Sequence, residues 1–512
     1  MASSTAHESF TAPARLRALT RSQWRIGVRA LAPALSRVGA RKLLGALVAL
    51  ATLSPAPAAL ADRSAEVSIM DDQLLIGASQ AKVDRHMSTF RSLGVDRLRV
   101  SAFWNQVAPA NMSRTKPVQF NGANMRDPRY NWLFLDRIIS SAARHRLRVM
   151  VSITTPAPIW ATGRSRRPNP LWKPSANEFG AFAAAVVSRY GAVVDHWGIS
   201  NEPNQGGWLQ PQSDRTGLVA PHLYRALVHA AYPRIKSLDP TSVALVGELA
   251  SSGRRGRGAR TPIRPLRFLR EMSCRNARYR PIRTGRCKNF KPVPIDALGH
   301  HPYQFFLPPT RPSLSPDDAA IGDSRRLARV LDRLVARGAL APGRGRRLSL
   351  FYTEFGYQTN PPDPFAGVRL STQSRYIQEA AYVAWRSPRV RSLNQFRLTD
   401  GALDGSGINR FREFQSGLAF RAGRKKPAYR VFPHPFVISG NRFWGHVRRG
   451  GSHTVRVQRS ASRGGRFATL AQVITSDRGY FSFRLPGRQP GYYRYVYTDG
   501  PRGTSGTIRV SR

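Results

Sequence analysis

Between Leu74 and about Phe432 the chain alternates short apolar runs with amphipathic stretches, and the alternation repeats eight times. The strand candidates are LLIGA from Leu74, VDRLRV from Val95, LRVMVSI from Leu147, VVDHWGI from Val193, SVALVG from Ser242, IDALG from Ile295, LSLFY from Leu348 and SLNQFRL from Ser392. Helix-type spacing of three and four lies between them, as in Trp132, Leu135, Ile139 and Ala142, or Leu327, Val330, Leu331 and Leu334. Eight strands alternating with helices predict an α/β fold, a (β/α)8 TIM barrel.

That prediction fixes where chemistry belongs, because side chains at the carboxyl ends of barrel strands converge on one mouth. Two glutamates sit at such ends. Glu202 follows the fourth strand in HWGISNEPN (196–204), and Glu354 follows the seventh in LSLFYTEFG (348–356). A pair of carboxylates facing each other across a mouth is what glycosidic-bond cleavage needs, since one must donate a proton while the other stays charged and attacks carbon.

The flanking residues carry a resemblance. NEP at 201–203, TEFG at 353–356, RLRVSAFW at 97–104 on strand two and HHPY at 300–303 after strand six together resemble the motifs of retaining glycoside hydrolases of clan A, the cellulase- and xylosidase-like barrel superfamily. The closing segment GLAFRAGRKKPAYRVF (417–432) is similar to the usual end of these barrels. The likeness spans roughly residues 74–432 and is sharp at strands two, four, six and seven. It implies Glu202 as general acid/base and Glu354 as nucleophile. It further implies Asn201 as a ligand of the sugar 2-hydroxyl, Arg99 as the cation that keeps the nucleophile charged, and His301 and Tyr303 as supporting groups, Tyr303 donating to the nucleophile. Trp104 is a candidate sugar platform, and Trp160, Trp172 and Trp208 are candidates either for stacking on sugar rings, whose apolar C–H surfaces suit aromatic faces, or for the core. Where clan members carry a tryptophan after strand eight, this chain offers Phe396.

The implied mechanism follows from charge. An ionised Glu354 beside Glu202 favours the protonated form of Glu202, and once Glu354 is esterified that effect vanishes and Glu202 can act as base towards water. Retention is the expected outcome, with the carboxylates ~5 Å apart. No phosphate loop or metal-ligand cluster is evident, so no cofactor and no metal are implied. The expected partner is an oligo- or polysaccharide bound by a monomer. A catalytically inactive, wall-associated carbohydrate-binding protein is the alternative reading.

Outside the barrel, residues 1–61 read as an export leader. The apolar run Leu43–Leu53 is too short to span a bilayer, and Ala59, Leu60 and Ala61 fit signal cleavage before Asp62. A secreted protein without a transmembrane anchor is expected, of actinobacterial type. In that setting the only two cysteines, Cys274 and Cys287, are candidates for a disulfide. The formal charge of +52 comes mainly from scattered arginine, which fits a GC-rich genome better than a nucleic-acid site. Adhesion to acidic cell-wall polymers is compatible with that charge. The barrel is expected over 62–434. From Pro435 to Arg512 the pattern turns to alternating strands broken by glycine turns, predicting a small all-β sandwich accessory domain with Trp444, Tyr492, Tyr493 and Tyr495 in its core or on a sugar-binding face.

Overall fold

The computed structural model describes residues 65–487, 489–498 and 503–511. The expected leader and its cleavage point lie outside the described residues. Eight strands close a parallel barrel: β1 Glu66–Met70, β2 Arg97–Phe103, β3 Arg148–Thr154, β4 Val194–Ile199, β5 Val243–Ala250, β6 Ala297–His301, β7 Ser349–Tyr352 and β8 Val390–Phe396. Each strand pairs with its neighbours in sequence, and β1 closes against β8 over five residue pairs, Glu66 with Ser392 to Met70 with Phe396.

The principal helices after the strands are α1 Gln80–Ser92, α2 Leu133–Arg144, α3 Ala176–Tyr190, α4 Ala220–Leu238, α5 Pro265–Met272, α6 Ser324–Ala336, α7 Leu370–Arg386 and α8 Pro427–Val431. Their apolar spacing explains their packing. In α6, Leu327, Val330, Leu331 and Leu334 are buried while Arg325, Arg329, Asp332 and Arg333 face water, so one stripe covers the sheet. In α3 the Ser175 hydroxyl accepts from the Glu178 amide and caps the first turn.

The first strand differs from the expected one. LLIGA from Leu74 is not a strand: Asp72–Leu75 is a single helical turn, and the strand is EVSIM, just upstream. Its polar residues hid it. Glu66 is held by Arg97 at 2.6 Å and Arg148 at 2.7 Å, so a charged residue sits comfortably in a barrel strand.

Period-two geometry sends Arg97 and Arg99 of β2 inward, one layer apart. The lower, Arg97, pairs with Glu66 and Asp195 at the amino-terminal ends of β1 and β4. Arg99 rises into the mouth.

Beyond the barrel the strands are antiparallel. A three-stranded sheet of β9 Phe436–Ser439, β10 Arg442–His446 and β13 Tyr480–Arg484 faces a second sheet built on β11 Thr454–Ser460, β12 Ala468–Ile474 and β14 Gly491–Tyr497, with β15 Gly503–Thr504 and β16 Ile508–Val510 beside β14. Phe436, Phe443 and Phe481 of one sheet share a core with Val455, Val457, Tyr493 and Tyr495 of the other. Trp444 points the other way, packing 5.6 and 5.9 Å from the rings of Tyr382 and Trp385 on α7. Trp444, Tyr493 and Tyr495 are therefore core side chains. Tyr480 Oη donates to the carbonyl of Ala65 at 2.8 Å, and Arg478 reaches Asp96 at 3.3 Å. These contacts meet the amino-terminal ends of β1 and β2, opposite the mouth.

Candidate active site

Glu354 follows β7 and is 6 % exposed. Arg99 Nη1 donates to its Oε1 at 2.9 Å, and Tyr303 Oη donates to its Oε2 at 3.0 Å. Burial pushes its carboxyl above the ordinary 4.5; His301, Arg99 and Tyr303 pull the other way and Glu202 adds to the rise. Burial also drives the Tyr303 phenol well above 10, which keeps it a proton-bearing donor.

Glu202 follows β4 on a main chain bent into the left-handed region, φ +37° at Glu202 and +67° at Ser200. Non-glycine residues adopt that region at a cost, and such strain collects at functional sites. Its amide donates to the carbonyl of Glu248 at 3.0 Å. Asn204 stitches the same loop to β5, accepting from the Ala250 amide at 2.9 Å and donating to the carbonyl of Ile263 at 2.9 Å.

His301 joins the two acids. Its Nδ1 lies 2.9 Å from Glu202 Oε1 and 3.5 Å from Glu354 Oε2. Burial holds its imidazole down to about 4, so it is neutral at neutral pH. Glu202, His301 and Glu354 each place a donor atom within 4.8 Å of the others. Three such donors could in principle take a cation, but Arg99 already supplies positive charge to Glu354 and both oxygens of Glu354 accept protein hydrogen bonds.

Asn201, beside Glu202, takes Arg99 Nη2 on its Oδ1 at 2.6 Å and donates its amide to Thr154 Oγ1 at 2.9 Å. This orients the side chain with its NH2 group away from Arg99. Trp208 in the same loop is partly buried and stacks on Phe103 at 6.3 Å and 12°. Phe396 ends β8 with its ring 6.2 Å from that of Tyr303 and nearly perpendicular to it.

Trp104 is a correction. It opens a short helical turn after β2, is 1 % exposed, and stacks on Phe182 at 5.8 Å with Phe179 and Trp160 at its edges. Both faces are spent on the core, so it cannot serve as a sugar platform. Trp160 donates its Nε1 to the carbonyl of Pro109 at 2.9 Å within the same cluster. His300, adjacent to His301, is wholly buried and bonded through Nε2 to the Ala319 carbonyl at 2.6 Å, a packing role. Cys274 and Cys287 form a disulfide away from the site, with Cα atoms 5.6 Å apart.

The site also contains a carboxylate that sequence reading passed over. Glu248, near the end of β5, has no exposed surface and forms an ion pair with Arg99. Its only sequence signal was a lone acid after glycine in an otherwise apolar strand.

No protein-family model matches the chain, and no curated protein matches it. Among solved structures it is similar to a family 39 glycoside hydrolase from the gut symbiont Bacteroides cellulosilyticus WH2, at 15 % identity over 83 % of this chain and 80 % of that one, with a TM-score of 0.50. It is also similar to a GH5_18 protein from Streptomyces cattleya in complex with GlcNAc (15 % identity, 72 % and 78 % covered, TM-score 0.46) and to xylanase B from Clostridium stercorarium F9 (16 %, 72 % and 96 %, 0.43). At these identities the likeness to the first is one of fold: the chain has the barrel on which that glycoside hydrolase is built.

Proposed function

We propose that the protein is a retaining O-glycoside hydrolase that cleaves β-glycosidic bonds in an oligo- or polysaccharide by double displacement. The observation that carries this reading is the placement of Glu202 and Glu354 just past the carboxyl ends of β4 and β7, with oxygens within 4.8 Å and unlike partners. That separation suits direct attack by one carboxylate and leaves no room for the water an inverting enzyme needs between them.

Glu354, held by Arg99 and Tyr303, attacks the anomeric carbon while Glu202 gives its proton to the leaving oxygen. The negative charge of Glu354 favours the neutral form of Glu202 until the glycosyl ester forms; Glu202 then takes a proton from the incoming water. Neutral His301 spans the two acids and fixes their spacing. Asn201 presents its free NH2 group to the sugar 2-hydroxyl. Trp208 and Phe396 offer ring surface to the substrate.

Strands β9 to β16 form, in this reading, a small sandwich that stabilises the barrel, since its largest aromatics are buried. Export is part of the same proposal. The Cys274–Cys287 disulfide supports an oxidising compartment, and no described helix is long and apolar enough to cross a membrane.

Proton NMR of the first-formed product from an aryl β-glycoside or a polysaccharide tests the mechanism. A β-anomer appearing first is expected. An α-anomer, or near wild-type turnover by Glu354→Gln, refutes it; binding without turnover would favour the carbohydrate-binding alternative.

A further inference from the structure

Glu248 occupies a slot that the barrel clears for it. Strand β5 carries a bulge: Gly247 pairs with Gly299 and Leu249 with His300, leaving Glu248 as the extra residue, at φ +45°. A bulge of this kind turns a side chain out of the ordinary alternation, here into the barrel. The neighbouring strands have no side chain where it points. A Cβ on Gly198 of β4 would lie 1.9 Å from Glu248 Oε1, and one on Gly299 of β6 would lie 2.7 Å from its Cγ.

In that slot the carboxylate touches the reacting groups at one remove. Its Oε2 pairs with Arg99 Nη2 and accepts from Ser152 Oγ at 2.8 Å, while Oε1 has no hydrogen-bond partner among the described residues. Arg99 thus carries one positive charge between two carboxylates, Glu248 and Glu354. The Glu248 carbonyl meanwhile holds the amide of Glu202 at 3.0 Å.

A fully buried carboxylate is costly, and packing alone is served as well by an apolar side chain of that volume. Building a bulge, two glycines and a serine around a charge makes sense only if the charge acts. Resting on the glycosidase reading above, we infer that Glu248 is a positioning residue that sets how strongly Arg99 grips Glu354 and, through its main chain, where Glu202 stands. By taking part of Arg99, it leaves Glu354 charged yet nucleophilic. With Glu248 neutral, Arg99 would act on Glu354 with only buried Asp72, which it feels less strongly, still competing. Glu354 would then ionise at lower pH and attack more slowly.

The test is a titration of the full-length protein labelled with glutamate carrying 13C at the side-chain carboxyl, with the Glu354 resonance assigned by its loss in Glu354→Gln. In Glu248→Gln the Glu354 midpoint is expected to fall by about one pH unit. In parallel, the acid limb of kcat/KM should move to lower pH and its plateau should drop about tenfold. An unmoved Glu354 midpoint overturns the proposal, even if the variant is less stable, because a merely structural carboxylate would change melting and not this titration. If Glu248→Gln does not fold, Gly198→Ala tests the same contact: its Cβ takes the place of Oε1, pushes the carboxylate off Arg99, and should move the Glu354 midpoint in the same direction. Absence of wild-type turnover on any glycoside would count against the glycosidase reading alone, since the titration still decides whether Glu248 governs Glu354.

Discussion

Arg99 donates to Glu354 from Nη1 at 2.9 Å, on a guanidinium whose other terminal nitrogen serves Asn201 and Glu248. A planar fork can meet these three acceptors at once, and a lysine ammonium at the end of a flexible stem cannot. Replacing Arg99 by Lys is therefore expected to lower kcat/KM by about 100-fold or more, and to cost about 3 kcal/mol of stability as a buried acceptor loses its partner. Aryl-glycoside kinetics and a urea melt would measure the two effects, and a variant within a few-fold of wild type would refute the shared-fork reading.

Tyr303 is expected to act on charge as well as on stability. Its hydroxyl is one of the groups that oppose the burial-driven rise of Glu354. Tyr303→Phe removes it, so Glu354 should rise further and the acid limb of kcat/KM should move to higher pH. A hydrogen bond to a charged group is worth ~1.5–3 kcal/mol, so about a tenfold loss or more is expected at the plateau. The opposite sign of shift would contradict the assigned roles.

Stability should fall as the solution is acidified from pH 6.5. His300, His301 and His434 are each held down to about 4 by burial, whereas in the unfolded chain they titrate near 6.5. Between these values the unfolded state binds more protons, so unfolding free energy rises with pH across the window. Each histidine contributes a slope of up to ~1.4 kcal/mol per pH unit there, opposed between about pH 4 and 6 by Asp71, which burial raises to about 6. Denaturant melts at pH 7, 6 and 5 would reveal it, and a flat profile would show that other groups compensate.

The tryptophan contact between α7 and the carboxyl-terminal sheets should matter as a core does. Trp385 is 4 % exposed and Trp444 fully buried, with ring centroids 5.9 Å apart. Trp444→Ala is expected to cost about 3–5 kcal/mol and to lower the melting of the barrel along with that of the sheets. Two separate transitions by calorimetry, with the barrel's unmoved, would argue instead for independent units.

Seven of the eight barrel strands were legible because fully buried strands read as apolar runs. The one that was missed, β1, carries Glu66 and Ser68, and its charge is satisfied by arginines from β2 and β3, a pairing that apolar periodicity does not reveal. Glu202 and Glu354 could be found because strand ends locate them, and Arg99, His301 and Tyr303 because their flanking motifs resemble those of clan A glycoside hydrolases; the structure brings all five together. Glu248 was hidden because a bulge leaves no mark on periodicity. Trp104 misled for a related reason: it lies one residue past β2, where a helical turn swings it inward onto Phe182.

The pairing of β1 has a consequence for how the chain must be assembled. This strand shares five residue pairs with β8 and only two with β2, its neighbour in sequence. A ribosome delivers β1 first and β8 last of the barrel strands, so during synthesis the earliest strand waits with its β8-facing edge open until Val390–Phe396 has emerged. Tyr480, from still later, then latches the residue just before it. A nascent chain halted before Val390 has no ring to close. Until β8 has emerged, the β8-facing edge of β1 is an unpaired strand edge, the kind of template on which nascent chains mispair.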